Sequence, residues 1–216
     1  MLTCSHKNYK SNNYITYAIS GNKGKDVNYE GKCYPKLAPK KSFWKKWHDN
    51  IGKISDEENN KYYIEQFYIE VLSKLDVEEV YNELKHGILL CYEDNDEFCH
   101  RHIVASWIEL LLGIEVPEVK IEGLNIEIVE RPTWIKDYLE EIMKKNLNMH
   151  KFTSLHAFHV FEESEKIEQK AYCLEEKTGK YYGNLHQQAC YMRCEADHIE
   201  EEYRYNNFVK KLNKTK

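Results

Sequence analysis

Arginine is nearly absent from this chain: Arg101, Arg131, Arg193 and Arg204 stand against 27 lysines in 216 residues. Asn, Ile, Tyr and Glu are plentiful too, a bias that AT-rich coding produces by itself, so single lysines say little and the arginines say more. Proline is as scarce, with four residues. Nowhere do the roughly 20 consecutive apolar residues of a membrane span occur. The longest apolar run beside a helix, Ile108–Ile114, is interrupted by Glu109. Met1–Asn13 is polar and lacks the apolar segment of a signal peptide. The seven cysteines are odd in number and scattered, unlike the dense pattern of a small secreted disulfide scaffold. Reduced thiols, a cytoplasmic location and no membrane partner are the expectation. Gly-rich phosphate loops, Gly-x-Ser-x-Gly elbows, paired zinc knuckles and internal repeats are all missing.

What is present suffices for a folded protein. Apolar residues make up 42% of the chain, close to the globular norm. A globular chain of this length buries roughly 70% of its unfolded surface. The net charge of −5 conceals a split. Residues 1–53 hold eleven lysines and three acids, giving +8, whereas residues 54–216 hold 20 bases and 33 acids, giving −13. Such asymmetry creates a local field for an anionic partner.

Tyr14–Ser20 is apolar and β-rich and ends at Gly21-Asn22, which predicts a strand and a turn. Residues 21–42 form a long Gly-, Lys- and Pro-containing loop. A short helix is expected over Phe43–Asp49. Ser55-Asp56-Glu57-Glu58 resembles a capping box before a helix over 57–75, where Ile64, Phe67, Tyr68, Val71, Leu72 and Leu75 recur at helical spacing. Asp76 starts another helix, stopped by Gly87. Ile88–Tyr92 then reads as a buried parallel strand. The polar loop Glu93–Phe98 leads into a helix over Cys99–Leu112, ended by Gly113. Ile114–Ile121 and Ile126–Val129 are strand or edge segments. Arg131-Pro132 marks a boundary, with a helix over Thr133–Lys145 and a long charged one over Leu185–Leu212; residues 152–182 read ambiguously. The fold class is α/β: a mostly parallel sheet flanked by helices over residues 1–131, and a mainly helical extension over 132–216.

The chemistry concentrates where the apolar strand meets the helix, because open α/β sheets bind ligands beyond the carboxyl ends of their strands. Free N–H groups at a helix N-terminus attract anions and lower the pKa of a cysteine placed there. Cys99 is therefore the candidate nucleophile or redox thiol, Arg101 the anion clamp, and Glu93 the base or the group orienting Arg101. Cys91 and Glu93, two apart on a strand, share a face. Cys91, His100 and Ser20 are the candidate ligand-binding residues. The plainer readings are a core thiol for Cys91 and a structural ion pair of Arg101 with Glu93 or Glu97.

Leu89-Leu90-Cys91-Tyr92-Glu93 followed by Cys99-His100-Arg101 resembles the signature of the DUF488 family: an apolar strand closing in Leu-Cys-x-Glu, a short loop, then Cys-His-Arg opening a helix. Tyr17-Ala18-Ile19-Ser20 looks like the family's first strand. Tyr34-Pro35-Lys36-Leu37-Ala38-Pro39 is similar to its Leu-Ala-Pro stretch, and Tyr62–Leu72 to its aromatic helix. The resemblance covers about residues 14–121. It implies an α/β domain and a site, and no reaction. Two departures stand out: Gly21-Asn22 follows Ser20 where members often carry Arg and then Pro, and Glu118 stands where many have His.

Four other groupings stand out. His186, Cys190, Cys194 and His198 make a stripe of soft ligands at four-residue spacing. All four cannot bind one ion, since they span about 18 Å of helix, and the stripe reads as an inward face. His156 and His159 are weaker still. No metal or cofactor is assigned. Lys40–His48 mixes lysines with Phe43, Trp44 and Trp47 as nucleic-acid binders do, but reads better as an ordinary amphipathic helix with those rings packed and the lysines solvated. Glu195–Glu202 reads as a solvated helix face. The leading functional expectation is a domain that binds or processes a small anionic or nucleotide-like ligand at the Cys99 helix, with enzymatic activity left open. The alternative is a nucleic-acid-binding or protein-interaction module built on the basic N-terminal region.

Overall fold

The computed structural model describes residues 1–147 and 152–214. Seven strands, β1 (Leu2–Ser5), β2 (Tyr9–Lys10), β3 (Thr16–Ala18), β4 (Lys32–Cys33), β5 (Ile88–Cys91), β6 (Glu118–Glu122) and β7 (Asn125–Val129), form one sheet in the order β2-β6-β1-β5-β3-β4. Every pairing is parallel except β6–β7, an antiparallel hairpin turned at Gly123. Helices α1 (Lys41–Asn50), α2 (Asp56–Glu70), α3 (Val77–Leu84), α4 (His100–Leu112) and α5 (Trp134–Asn146) accompany the sheet, and α6 (Leu155–Thr178) and α7 (Gly183–Lys214) follow. The α/β class and the helical C-terminal region are as expected from the sequence.

The chain divides into two compact units. Met1–Glu109 with Gly113–Met143 makes the first, and Leu110–Leu112 with Lys144–Lys216 the second.

Within the first unit, strand register decides which face each residue takes. Cys4 pairs with Leu90, and both join Ile88, Val119 and Ile121 in an apolar cluster on one face. Thr3, Ser5, Cys91 and Glu118 fall on the other face, because side chains alternate along a strand. β1 thus occupies the middle of the sheet between β5 and β6, in a segment that the sequence marks only as polar. Its polar residues are buried because they point toward a buried ionic network.

Caps fix the helices as the sequence indicates. Ser55 accepts from the Glu58 N–H at the start of α2, and Asp76 from the Glu79 N–H at the start of α3. Gly113 closes α4 in the left-handed region at φ 65°. α4 departs from a simple amphipathic pattern: His100 to Ile108 are all buried, Arg101, His102 and Ser106 included.

In the second unit, α6 and α7 pair along their length. Residues 152–182, ambiguous in the sequence, are mostly α6, capped by Ser154 accepting from the Ala157 N–H. The inward residues of α7 include Ala189, Ala196 and Glu200. Two sequence expectations are corrected here. Cys190, Cys194 and His198 face solvent rather than the interior. Glu200, within the supposedly solvated charge run, is 5% exposed, with its carboxylate accepting from the Thr153 and Ser154 N–H groups at 2.8–2.9 Å.

Candidate functional site

β5 ends at Cys91 and α4 begins after its N-cap, Cys99, so the strand end, the Glu93–Phe98 loop and the first helical turn converge. The Cys99 Sγ lies 2.8 Å from Glu93 Oε2, and the Cys91 Sγ lies 3.3 Å from the same oxygen. His100 Nδ1 stands 3.4 Å from the Cys91 Sγ. Its Nε2 is 3.1 Å from the Ile19 carbonyl oxygen, which only accepts, so Nε2 carries a proton and donates. Cys91, Cys99, Glu93 and His100 are therefore brought together.

Their charges are mutually dependent. Burial pushes the Cys99 thiol up, but the neighbouring Cys91 thiol, the Arg101 guanidinium and His100 outweigh it and hold Cys99 well below the ordinary thiol value. Cys91 moves the opposite way, well above its ordinary value, through burial and then through the Cys99 and Glu93 charges. Burial and then Cys99 raise Glu93 to about 7. For His100, burial lowers and the contacts with Cys99 and Glu93 raise, with a net rise. These shifts favour the thiolate form at Cys99 over that at Cys91.

Arg101 belongs beneath this cluster rather than in front of it. Its guanidinium is fully buried and donates to both oxygens of Glu118 at 3.0–3.2 Å. It also donates to the Glu93 and Asp94 carbonyls, each at 2.8 Å. Thr3 Oγ1 donates to Glu118 at 2.6 Å, and His102 Nε2 lies 3.4 Å from it. The ion-pair partner is thus Glu118, not Glu93 or Glu97. Glu118 is the charge that makes a buried arginine tolerable at this place. The network clamps the loop that delivers Glu93.

A cavity of about 590 Å³ opens beside the cluster. Cys91, Glu93, Cys99, His100 and Ser20 form its polar side, and Trp44, Trp47, Tyr63, Tyr92 and Phe98 its aromatic side. Ser20 contributes a hydroxyl bonded to Asn22 Oδ1 at 3.1 Å. Arg101 does not line this cavity. Lys41 brings one positive charge to it, Asp26 and Glu93 two carboxyls. The aromatic side comes in part from the helix that suggested nucleic-acid stacking. There Phe43 is buried and Trp47 packs against Tyr63 and Phe98, with its indole N–H on Asn60. A wider hollow lined by His6, Tyr9 and Tyr29 lies elsewhere and holds no comparable cluster.

The aromatic wall, Glu118, Thr3 and His102 escaped the sequence reading as site components. Only Glu118 left a trace, as a departure from the expected pattern. Among the described residues, the one group with three metal-ligand atoms in mutual reach is Cys91, Cys99 and His100, all within 4.8 Å of one another. The His186 stripe is not such a group: His186 is held by Glu168 and Glu175 at 2.9 and 3.0 Å. No described helix is long and apolar enough to cross a membrane.

Residues 9–111 match the family model DUF488-N3a, described as the Active DUF488-N3 subclade. No curated protein and no solved structure matches the chain.

Proposed function

Residues 9–111 belong to the DUF488 family, and from that premise we propose that this domain binds and processes a small ligand bearing a flat, nucleotide-like ring. The cavity beside Cys99 is the binding place, and the Cys99–Glu93 pair is the reaction centre. One observation carries the reading: an acidified, buried thiol 2.8 Å from a carboxyl group faces a cavity walled by five aromatic rings. Rings of this kind stack on any planar heterocycle at about 1–3 kcal/mol per base. The description of the matching family model as an active subclade agrees with a chemical rather than a structural role.

The anionic half of the sequence expectation finds less support than the ring. Arg101 spends its donors on Glu118 and on two carbonyls, so it is a positioning residue that fixes the loop bearing Glu93. Lys41 and His100, against Asp26 and the Cys99 thiolate, do not make an anion trap. Glu93 holds the proton exchanged with Cys99, and His100 supplies the neighbouring positive charge. The alternative, a nucleic-acid surface on α1, is disfavoured because Phe43 is buried and Trp44 and Trp47 border the cavity instead.

The test is tryptophan fluorescence and Cys99 alkylation in chelator-treated protein, titrated with adenosine, guanosine, cytidine and uridine monophosphates. Binding quenches the fluorescence, Trp47→Ala weakens the quenching, and the bound compound slows iodoacetamide labelling of Cys99. Absence of quenching and of protection with all four removes the nucleotide-like ligand.

A further inference from the structure

We propose that Cys91, Cys99 and His100 form a binding site for a thiophilic divalent cation of the zinc class, opening on the aromatic cavity. The inference rests on the preceding reading for the cavity's role and adds an occupant to the cluster.

Three observations carry it. The first is distance. Ligands about 2.0–2.3 Å from a tetrahedral zinc stand roughly 3.5–3.8 Å from one another. The 3.4 Å between the Cys91 Sγ and His100 Nδ1 is close to that edge, and all three ligand atoms lie within 4.8 Å of one another. The second is the orientation of His100. A ligating histidine typically donates its other ring N–H to a carbonyl or carboxylate, which fixes the tautomer and aims the free lone pair. His100 Nε2 donates to the Ile19 carbonyl at 3.1 Å, leaving Nδ1 directed at the sulfurs. The third is rigidity. Cys91 ends a central strand, Cys99 and His100 open a buried helix, and Arg101 pins the intervening loop by two carbonyls, so the donor atoms are held before any ion arrives.

Donor chemistry selects the ion. Two thiolates and an imidazole suit zinc and disfavour magnesium or calcium, which take oxygen ligands. Glu93 touches both sulfurs yet is not part of the mutually close set. The protein thus offers three ligands and leaves the fourth position toward the cavity, the arrangement of a catalytic rather than a closed structural zinc site. In the loaded protein Cys99 is a ligand, and a cavity ligand or water meets the ion. In the metal-free protein Cys99 is the reactive atom of the cluster, buried but bordering the cavity.

The full chain, stripped by chelation under reducing conditions, is titrated with Co(II), then Zn(II). One equivalent of cobalt should give a thiolate-to-metal charge-transfer band with tetrahedral d–d bands, which zinc abolishes. Cys99→Ser should lose the charge-transfer intensity, and the double variant Cys190→Ser/Cys194→Ser should keep it. X-ray absorption on the wild-type zinc form should show a mixed shell with two sulfurs, a measurement that needs no variant to fold. No cobalt band, a shell without sulfur, or a band that survives Cys99→Ser and vanishes with the Cys190/Cys194 double variant overturns the site. Mononucleotide quenching without cobalt bands overturns the metal alone; cobalt bands without quenching keep the metal and remove the nucleotide-like ligand.

Discussion

The Cys99 Sγ and Glu93 Oε2 are 2.8 Å apart inside the protein, so a proton on either group is hydrogen-bonded to the other. With Glu93 raised to about 7 and Cys99 held well below its ordinary value, that proton resides on the carboxyl group under mildly acidic conditions. It leaves as the pH rises through about 7. Losing that proton removes the carboxyl's hydrogen bond to the thiolate and frees the sulfur lone pair, so iodoacetamide labelling of Cys99 in metal-free protein should increase through neutrality, below the ordinary thiol midpoint of about 8.5. Glu93→Gln, which cannot lose the proton, should flatten that step. Profiles with the same midpoint near 8.5 in both proteins would contradict this hydrogen-bonded proton.

Arg101 and Glu118 should matter more for stability than for ligand affinity. Both side chains are fully buried, and removing one partner strands the other charge in the interior. Arg101→Ala or Glu118→Ala should cost about 3–5 kcal/mol in urea unfolding. Arg101→Lys should recover little, because an ammonium cannot reach Glu118 and two carbonyls as a planar fork does. The direction with pH follows from Glu118. Burial raises it, but His102 and Arg101 lower it further, so its folded value lies below its unfolded value. Its stabilising contribution is present above the unfolded value and is lost as pH falls through the folded one. Glu118→Gln should therefore flatten the acid limb of the stability curve. Wild-type stability in both alanine variants would remove the clamp.

These two clusters also show how much was legible in the sequence. Cys91, Glu93, Cys99 and His100 were found because strand, loop and helix signals abut within a dozen residues. Arg101 was found but given the wrong partner, since Glu118 lies 17 positions away and only strand register aligns it with Thr3 and the arginine. β1 was missed for the same reason: Thr3 and Ser5 break the apolar pattern, yet both are buried because their hydroxyls have partners, Glu118 and the Asn8 N–H. The aromatic wall is assembled from α1, α2, the residue after β5 and the residue before Cys99, and no local period announces such a meeting. In the C-terminal unit, α7's soft-ligand stripe suggested an inward face by spacing alone, whereas its small residues Ala189 and Ala196 mark the packed side.

Glu200 gives a prediction confined to that unit. Its carboxylate receives the Thr153 and Ser154 N–H groups and the Arg204 Nε, and so anchors the start of α6 from α7. Glu200→Ala leaves those donors without their acceptor and should cost about 1–3 kcal/mol. Amide exchange should accelerate across Leu155–Phe161 while β5 and α4 keep their protection. Uniform acceleration across both regions would mean that the two units do not respond separately.

The seven thiols should separate into three classes under alkylation of reduced, metal-free protein. Cys33, Cys173, Cys190 and Cys194 are exposed and should label with small and bulky reagents alike, at ordinary thiol rates. Cys4 is buried and pushed up to about 12, and Cys91, though it also lines the cavity, is held well above its usual value, so both should label far more slowly than Cys99. Cys99 is only 2% exposed but borders the cavity, and its thiolate is favoured. It should therefore label faster than the other six with iodoacetamide at neutral pH, and hardly at all with a polymer-linked maleimide too large to enter. Nucleophilicity requires both charge and access, and the two reagents divide those requirements. Slow labelling of Cys99 by the small reagent at pH 7 would assign the residue to the core and withdraw it from the chemistry.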